Sequence, residues 1–412
     1  MKVLHVSTYD AHGGAGRAAF ALHTAMRARG VDSSMLVAEK SSSDPQVIEL
    51  TGAADRRWRA AQFADRRLWD MQRSPNPTWR SPARFGALDA DAINASDADI
   101  VNLHWVTNGF LTIKQIGRIT KPVVWSLYDM WVMAGSEHYG VDTDAARWLT
   151  GYTARNRAPG DRGVDLELET WNRKLLHWTT PRHLVPASSW LAACARDSLL
   201  TRSWPITRIA HVIDTEAFAP MPQDQARALH ALPPDAPIVL FLSSGGVADR
   251  RKGWDLLASA MQQVRSAVPG AQVVVAGPRG DDAATAALDF VHWVGEISGN
   301  EQLRALYAAA DVVAVPSRED NMPLTAMEAQ SVGIPVAAFD IGGLPDIVEH
   351  GVTGMLAAPF DVDELAAGII EALTTGRLEF GAAARAHALA TWSPEVVVAR
   401  YLEVYAQELA QR

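Results

Sequence analysis

Short, continuous apolar runs alternate with helical stretches along this chain, and that alternation constrains the fold more than any other feature. Runs without polar alternation are typical of strands that are covered on both faces. Strands that alternate with helices predict a mainly parallel, doubly wound sheet. In the first half, the predicted strands are residues 2–7, 34–38, 100–103 and 123–127, with residues 184–186 and 207–210 as the last two.

The same alternation begins again in the second half. Residues 253–268 have helical periodicity, and Pro205, Pro220 and Pro222 interrupt the chain between the two halves. Prolines of this kind mark connecting segments. The predicted strands of the second half are residues 238–242, 273–275, 312–315 and 335–339.

The chain is long enough for two domains. It has 412 residues, and a domain usually has roughly 100–200. We predict an α/β protein with two doubly wound, Rossmann-like domains that face a cleft, residues 1–205 and 206–392. Residues 393–412 are predicted to form a closing helix that crosses back to the first domain, with Ser393 as its cap and Pro394 at its first position.

Composition excludes several classes of protein. A net charge of −9 and a pI near 5.7 argue against nucleic acid as a partner. Cys194 is the only cysteine, which excludes an internal disulfide and a multi-cysteine zinc site and fits a reducing compartment. No apolar stretch approaches the ~20 residues that span a bilayer. We therefore expect a cytoplasmic protein whose membrane contact is peripheral.

Three Asp-x-Asp triplets raise the question of a metal site. They are residues 89–91, 97–99 and 142–144. In a chain with 47 acidic residues such triplets arise readily. We expect no metal role for them.

Residues 316–329 carry the most informative chemistry. They follow a predicted strand and open a predicted helix, for which Pro323 suits the first position. Free N–H groups at a helix N-terminus favour an anion such as a diphosphate. Asp320 lies just before the helix and Glu328 about 7–8 Å along its axis, and a carboxylate can accept both hydroxyls of a ribose or sugar diol. On spacing alone, a capped surface helix with ordinary acidic residues is the favoured interpretation.

Residues 316–329 also resemble the E-x(7)-E signature of retaining glycosyltransferases with the GT-B fold, specifically the family-four group. The resemblance extends over almost the whole chain, and the order and spacing of its pieces make it specific. The branch is similar to the exopolysaccharide and lipopolysaccharide transferases, which carry LHW and HDMW segments. The other matching pieces are residues 13–17, 103–105, 128–131, 251–257, 291–295, 303–311, 342–346 and 392–393.

The resemblance implies a hexosyltransferase-type enzyme of polysaccharide biosynthesis. It would move a sugar from a nucleotide diphosphate sugar to a glycan, glycolipid or small-molecule acceptor, with retention of anomeric configuration. The pair of cations at Arg251 and Lys252, and the lack of a persuasive acidic cluster, predict transfer without a metal or other cofactor. The first domain would hold the acceptor and the second the nucleotide sugar. The family pattern places Tyr128, Asp129, Lys252 and Asp320 in the catalytic set.

The resemblance also implies individual binding roles. Glu328 would bind the ribose diol, Asp320 would face the donor sugar, and Lys252 would neutralise the diphosphate with help from Arg251. Fixed cations aimed at the leaving phosphate lower the barrier to transfer. The remaining donor-side positions are the backbone at Leu324 and Thr325 for the phosphates, Val294 for the base, and Gly14 and Gly16 for close approach of the first-domain loop.

Two positions depart from the family pattern. Tyr128 replaces the histidine of HDMW. Its hydroxyl can still donate a hydrogen bond, but it cannot carry a positive charge. Asp320 replaces the first glutamate of the signature and is one methylene shorter. These changes predict altered specificity, weak activity or none. His104 and His138 are candidate substitutes, although ordinary structural histidines are the favoured interpretation.

Three other functions remain open. A nucleotide-sugar epimerase or a sugar-phosphate synthase keeps the fold and changes the reaction. A noncatalytic partner subunit would bind nucleotide sugar without turnover. An NAD-binding Rossmann enzyme is disfavoured, because residues 13–16 do not provide G-x-G-x-x-G after the first strand.

Residues 56–84 combine eight arginines with only two aspartates. Arginine binds phosphate well, and tryptophan is enriched at membrane–water interfaces. A lipid-linked acceptor at the inner face of the membrane would explain both features. The alternative, slightly favoured, is a helical hairpin with solvated arginines and packed tryptophans. The interleaved apolar residues are Trp58, Phe63, Leu68, Trp69, Met71 and Trp79.

Overall fold

The computed structural model describes residues 1–140, 143, 145–279 and 288–411. Two compact units divide this chain. The first contains Met1–Ala210 together with the segment that begins at Val398, and the second is His211–Val397. The sequence-based boundaries were set at 205/206 and 392/393, so the units divide a few residues later at both places.

The first unit is built on a six-stranded parallel sheet with the strand order β3-β2-β1-β5-β6-β8. A separate two-stranded antiparallel ladder joins β4 and β7. The strands are β1 (Lys2–Tyr9), β2 (Asp32–Glu39), β3 (Val47–Glu49), β4 (Gln72–Arg73), β5 (Ile100–Leu103), β6 (Val123–Leu127), β7 (Arg162–Gly163) and β8 (His183–Pro186).

Helices connect these parallel strands. Several begin at a side chain that accepts a free backbone N–H, as Thr112, Asp165 and Ser188 do. The helices are α1 (Gly13–Ala28), α2 (Ala53–Trp69), α3 (Ala90–Asn94), α4 (Ile113–Gly117), α5 (Arg147–Thr150), α6 (Leu166–His177) and α7 (Ser189–Asp197).

The core of the first unit is rich in tryptophan. The rings of Trp125 and Trp178 meet edge to face at 5.2 Å, and those of Trp131 and Trp178 at 5.8 Å. Each indole N–H has a carbonyl partner, for example Ile113 for Trp178. Buried tryptophan thus adds apolar area without leaving a polar group unpaired.

A buried polar cluster lies beside this core. Glu137 accepts a hydrogen bond from the Tyr152 hydroxyl on Oε1, while its Oε2 has no partner among the described residues. Glu167 pairs with Arg80 at 2.8 Å. Lys174 donates to backbone carbonyls that include Gly135 at 2.7 Å. Burial, followed by the negative charge of Glu167, raises the pKa of Glu137 to about 7.

The second unit repeats the architecture. Its six-stranded parallel sheet has the order β11-β10-β9-β12-β13-β14. The strands are β9 (Ile238–Leu242), β10 (Gln272–Ala276), β11 (Val291–Gly295), β12 (Val312–Val315), β13 (Val336–Phe339) and β14 (Gly354–Ala357). The helices are α8 (Gln223–Leu229), α9 (Trp254–Ala267), α10 (Asn300–Ala309), α11 (Leu324–Val332), α12 (Val362–Glu371) and α13 (Arg377–Trp392).

The last helix, α14 (Pro394–Ala410), returns to the first unit. Its Tyr405 hydroxyl shares a 2.7 Å hydrogen bond with the Asn102 amide, and Tyr401 shares one of 2.9 Å with Ser126. Glu408 lies 2.8 Å from His183. The predicted return of the closing helix, and the α/β class with two Rossmann-like domains, are confirmed.

Two sequence-based predictions in the first unit are wrong. Residues 207–210 do not form a strand: Thr207 and Ile209 donate to the carbonyls of β8 at 3.0 and 3.1 Å, but these two bonds do not extend into a ladder. The helical hairpin suggested for residues 56–84 is a single helix, α2, followed by non-helical chain. No helix among the described residues is both long and apolar enough to cross a membrane.

Candidate active site

In the second unit, the predicted donor-site residues lie after two adjacent strands. Arg251 and Lys252 follow β9 in a short turn, which Asp249 caps by accepting the Arg251 N–H at 3.1 Å. Gly253 ends the turn at φ +72°, and a Cβ there would lie 1.9 Å from the Pro316 carbonyl oxygen after β12. Glycine therefore lets the two loops touch.

An ion pair joins these loops. The Lys252 ammonium lies 2.6 Å from Asp320 Oδ2, and the Arg251 guanidinium 3.6 Å from the same oxygen. The Ser317 hydroxyl donates to this oxygen at 3.1 Å, and Arg251 also donates to the Glu319 carbonyl at 3.0 Å. Asp320 therefore holds both cations in place at the carboxyl ends of β9 and β12.

Burial and charge act in opposite directions on this pair. Burial alone would raise the pKa of Asp320, but the charges of Lys252 and Arg251 outweigh it and hold the pKa below its ordinary value. Burial, followed by repulsion from Arg251, lowers the pKa of Lys252 despite the attraction of Asp320. A further anion beside Lys252 would favour its charged form.

Helix α11 carries the other donor-side residues. Leu324 and Thr325 are its first two residues and are half-buried, whereas Pro323 precedes the helix instead of occupying its first position. Thr325 and Lys252 line the same small pocket. Glu328 is the fifth helical residue and only 2% exposed, and its Oε2 accepts the Tyr307 hydroxyl at 2.8 Å.

A glycine pair supports the loop of Asp320 from behind. Gly342 has φ +53°, and a Cβ there would lie 2.0 Å from the Asp320 carbonyl oxygen. The Gly343 N–H donates to the same oxygen at 3.2 Å. Val294 lies on β11, at the edge of the sheet, and is half-buried.

In the first unit, the glycine loop after β1 has two conformational requirements. Gly13 has φ +67°, a left-handed conformation that favours glycine. A Cβ on Gly16 would lie 2.7 Å from the Asp10 carbonyl oxygen. Nothing lies within 4 Å of a Cβ placed on Gly14, so this unit's packing gives no reason for glycine there.

Tyr128 and Asp129 follow the carboxyl end of β6. The Tyr128 hydroxyl lies 2.8 Å from His104 Nδ1, and His104 Nε2 lies 2.8 Å from His5 Nδ1. Burial raises the pKa of Tyr128 well above its ordinary value, helped by Tyr401 and Tyr405 of α14. The Tyr128 hydroxyl is therefore uncharged, and it is hydrogen-bonded to His104, which in turn is hydrogen-bonded to His5.

The Asp129 carboxylate has three hydrogen-bond donors. Its Oδ2 lies 2.6 Å from His138 Nδ1 and accepts the Trp105 indole N–H at 3.1 Å, while Oδ1 accepts the Trp131 N–H at 2.9 Å. His138 Nε2 lies 2.8 Å from the Ser81 hydroxyl. Asp129 thus organises a small pocket, which Trp105, Tyr128 and His138 also line.

Three residues that sequence reasoning missed complete these arrangements. Ser317 and Asp249 support the Lys252–Asp320 pair, and Tyr307 occupies one oxygen of Glu328. Ser317 lies within the stretch that the sequence singled out, and Tyr307 within another matching segment. Only the contact of Tyr307 with Glu328 joins two separate helices, whereas Asp249 and Ser317 act on residues two and three positions away.

Nothing in the described part of the chain groups three or more His, Cys, Asp or Glu side chains as a metal site. In the first triplet, Asp89 caps α3 and Asp91 pairs with Arg118 at 3.0 Å. In the second, Asp97 pairs with Lys2 at 2.5 Å. Asp142 and Asp144 of the third triplet lie outside the described residues.

Each unit has a doubly wound parallel sheet, and a cationic pair lies beside the first turn of a helix in the second unit; two such units are the architecture of the GT-B fold. Solved structures of this class share the fold over nearly the whole chain. Sucrose-phosphate synthase from Thermosynechococcus elongatus matches with a TM-score of 0.70 at 20% identity and covers 100% of both chains. WaaG, a glycosyltransferase involved in lipopolysaccharide biosynthesis, matches with a TM-score of 0.64 at 15% identity and covers 98% of this chain and 99% of its own.

Sequence comparison gives the family. Residues 236–375 match the family described as Glycosyl transferases group 1. The D-inositol 3-phosphate glycosyltransferase of Mycobacterium tuberculosis strain H37Rv is 27% identical over 415 residues, which cover 95% of this chain and 78% of the relative. The resemblance identified from the sequence is confirmed.

Proposed function

We propose that this glycosyltransferase moves a hexosyl group from a nucleotide diphosphate sugar to an acceptor hydroxyl, with retention and without a metal ion. The observation that carries the proposal is the placement of Arg251 and Lys252 around Asp320, with Lys252 and Thr325 in one pocket. A pocket with a half-buried cation beside a helix N-terminus suits a diphosphate.

Charge balance at the leaving group explains how such a site would work. When the bond from the anomeric carbon to the β-phosphate oxygen breaks, negative charge develops on that phosphate. The Lys252 ammonium has three N–H donors, so one can remain on Asp320 while others meet the phosphate. The N–H groups at the start of α11 add further donors. Fixed donors of this kind stabilise the transition state without a metal.

The donor and the reaction's stereochemistry are inferred from relatives. HepE of Anabaena, which shares the fold with a TM-score of 0.63 at 15% identity over 98% of this chain and 99% of its own, was solved in complex with UDP and glucose. UDP-sugars are therefore the first donors to test. Retention and a role in polysaccharide biosynthesis follow from the family resemblance, whereas the proposed cytoplasmic location rests on composition.

Transfer is expected to continue in excess EDTA, because Arg251 and Lys252 supply the positive charge. The product's anomeric proton coupling, measured by NMR, should match that of the donor. Loss of activity in EDTA with recovery in manganese would show that a metal is required. A product of the opposite anomeric configuration would contradict retention.

We further propose that α2 contacts an anionic membrane surface and thereby reaches a glycan or lipid-linked acceptor. Arg56, Phe63 and Arg67 lie seven and four residues apart, so they share one helical face. Phe63 is 63% exposed, and Arg67 lies 5.1 Å from its ring. The buried face is opposite, and Trp58 belongs to it at 2% exposure.

Some arginines of α2 form ion pairs within the described part of the protein, and three others are available to an anionic partner. Arg59 and Arg66 pair with acidic residues one turn away on the same helix. Within the described residues, no ion pair involves Arg56, Arg57 or Arg67. An exposed aromatic ring among arginines fits a bilayer interface with anionic headgroups.

Replacing Arg56, Arg57 and Arg67 by serine is expected to weaken binding to anionic vesicles. At about 1 kcal/mol per basic residue, the loss is on the order of 100-fold. Co-sedimentation with phosphatidylglycerol-containing vesicles at low salt measures it. A matched control replaces three exposed arginines of the same unit, Arg155, Arg196 and Arg202. If the two triple variants bind the vesicles equally, or if the wild type does not bind them, α2 has only a structural role and the membrane proposal is wrong.

A further inference from the structure

Three adjacent strands of the first sheet bring aromatic and polar side chains to one edge. β1, β5 and β6 are neighbours, and the carboxyl ends of parallel strands meet at the same edge. Tyr9 is the last residue of β1, Trp105 lies two residues beyond β5, and Asp129 lies two residues beyond β6. Ligands of such sheets bind at this edge.

Tyr9 and Trp105 form an aromatic surface there. Their ring centroids are 6.1 Å apart and the ring planes are inclined by only 24°. Both side chains are half-buried. The two rings remain partly open to solvent at this edge, with the His12 ring 5.5 Å from the Tyr9 ring and the His138 ring 5.4 Å from the Trp105 ring.

The polar ends of both rings are fixed by the protein. The Asn108 amide donates to the Tyr9 hydroxyl at 2.7 Å, and the Trp105 indole N–H donates to Asp129 at 3.1 Å. Asn108 has φ +58°, and its carbonyl accepts the buried Trp58 indole N–H at 3.0 Å. The Trp105 carbonyl accepts the Thr8 N–H at 2.8 Å. The rings are therefore held before any ligand arrives.

We propose that the Tyr9–Trp105 pair is the platform on which the ring of the acceptor lies, an inference that rests on the proposed function. A pyranose or cyclitol ring presents C–H groups on one face and hydroxyls around its edge. The C–H face is apolar and slightly positive, which complements the negative face of an aromatic ring. Tyr128 and Asp129, in the pocket that Trp105 lines, lie within the same edge of the sheet and suit the hydroxyl rim.

Asn108 acts in this proposal as a positioning residue, because it fixes the Tyr9 ring and does not contact the acceptor. Asp129 has two roles: it fixes the Trp105 ring and faces the acceptor's hydroxyl rim. Tyr9→Phe keeps the ring and loses the hydrogen bonds of the hydroxyl with Asn108 and Gln62. It should therefore retain most ligand binding, whereas Tyr9→Leu should lose it as Trp105→Leu does.

Saturation-transfer NMR with methyl α-D-glucopyranoside and myo-inositol tests the platform directly. In the wild type, saturation should reach the ring C–H protons more strongly than the methyl protons of the glucoside. Trp105→Leu should reduce the ring signal at least fivefold. The matched control is Trp190→Leu, the same change at a half-buried tryptophan of the first unit outside the platform, and it should keep the wild-type signal.

Two results would overturn the platform. One is an absence of saturation transfer from the wild type to both probes. The other is an equal signal in the Trp105→Leu and Trp190→Leu variants. Calorimetric titration with UDP reports on the second unit's site in the same samples. If UDP binds normally and the ring signal is unchanged in the Trp105→Leu variant, only the platform is wrong. If the wild type does not bind UDP, the proposed function is wrong.

Discussion

Replacing Lys252 by alanine, or Glu328 by glutamine, is expected to weaken nucleoside diphosphate binding by about 1.5–3 kcal/mol each, roughly 10- to 150-fold in Kd. Lys252 would lose a charge-assisted bond to the diphosphate, and Glu328 its charged acceptor for the ribose diol. Lys252 is the only lysine between residues 211 and 397, so no neighbouring lysine of the second unit can replace it.

Calorimetry with UDP measures this loss, after a thermal melt has shown that each variant is folded. Glutamine is chosen at Glu328 because it keeps the volume and an oxygen for the Tyr307 hydroxyl. The controls are Arg265→Ala and Glu301→Gln, which remove one charge of each sign from exposed positions of the same unit. If both site variants bind UDP as the controls do, the donor site lies elsewhere.

Glu137→Gln is expected to stabilise the protein at alkaline pH by about 3 kcal/mol, the equivalent of its pKa shift. In the folded protein the pKa of Glu137 is about 7, against an ordinary value of 4.5. Its stabilising contribution is therefore complete below pH 4.5, declines as the unfolded chain ionises, and is lost above pH 7. Glutamine resembles the protonated acid, retains an acceptor for Tyr152, and does not titrate.

Urea unfolding between pH 4.5 and pH 8.5 measures the effect as the difference between variant and wild type, since groups common to both proteins cancel. The difference should be small at pH 4.5 and should grow between pH 5 and pH 7. The exposed Glu379→Gln serves as the charge-matched control. A Glu137→Gln difference that is flat with pH would mean that Glu137 ionises normally in the fold.

The fold was predictable where strands are buried on both faces. β5, β6, β9 and β12 begin and end at the predicted residues, because each is a continuous apolar run whose residues are almost all buried. Residues 207–210 have a similar pattern but make only two backbone hydrogen bonds to β8. An apolar sequence pattern indicates burial, but a strand also needs a neighbouring strand with which it can pair in register.

The site was predictable only in part. The sequence singled out Lys252, Arg251 and Asp320, and the structure brings them together. It did not indicate that Tyr307 occupies one oxygen of Glu328, or that Asp129 is surrounded by three donors. These bonds join side chains whose elements meet only in the folded unit, and the role of each site residue stays a prediction until it is tested.

Turnover of a nucleotide sugar tests the central claim most directly. Wild-type protein is incubated with UDP-, GDP-, dTDP- and ADP-sugars and a mixture of sugar phosphates, inositol phosphates and membrane lipids, and the products are followed by mass spectrometry. We expect at least one donor to yield free nucleoside diphosphate and a glycosylated acceptor, and Lys252→Ala to suppress both at least tenfold. Tight donor binding with no turnover would contradict the account and indicate a noncatalytic nucleotide-sugar-binding subunit, while an isomerised nucleotide sugar would indicate an epimerase.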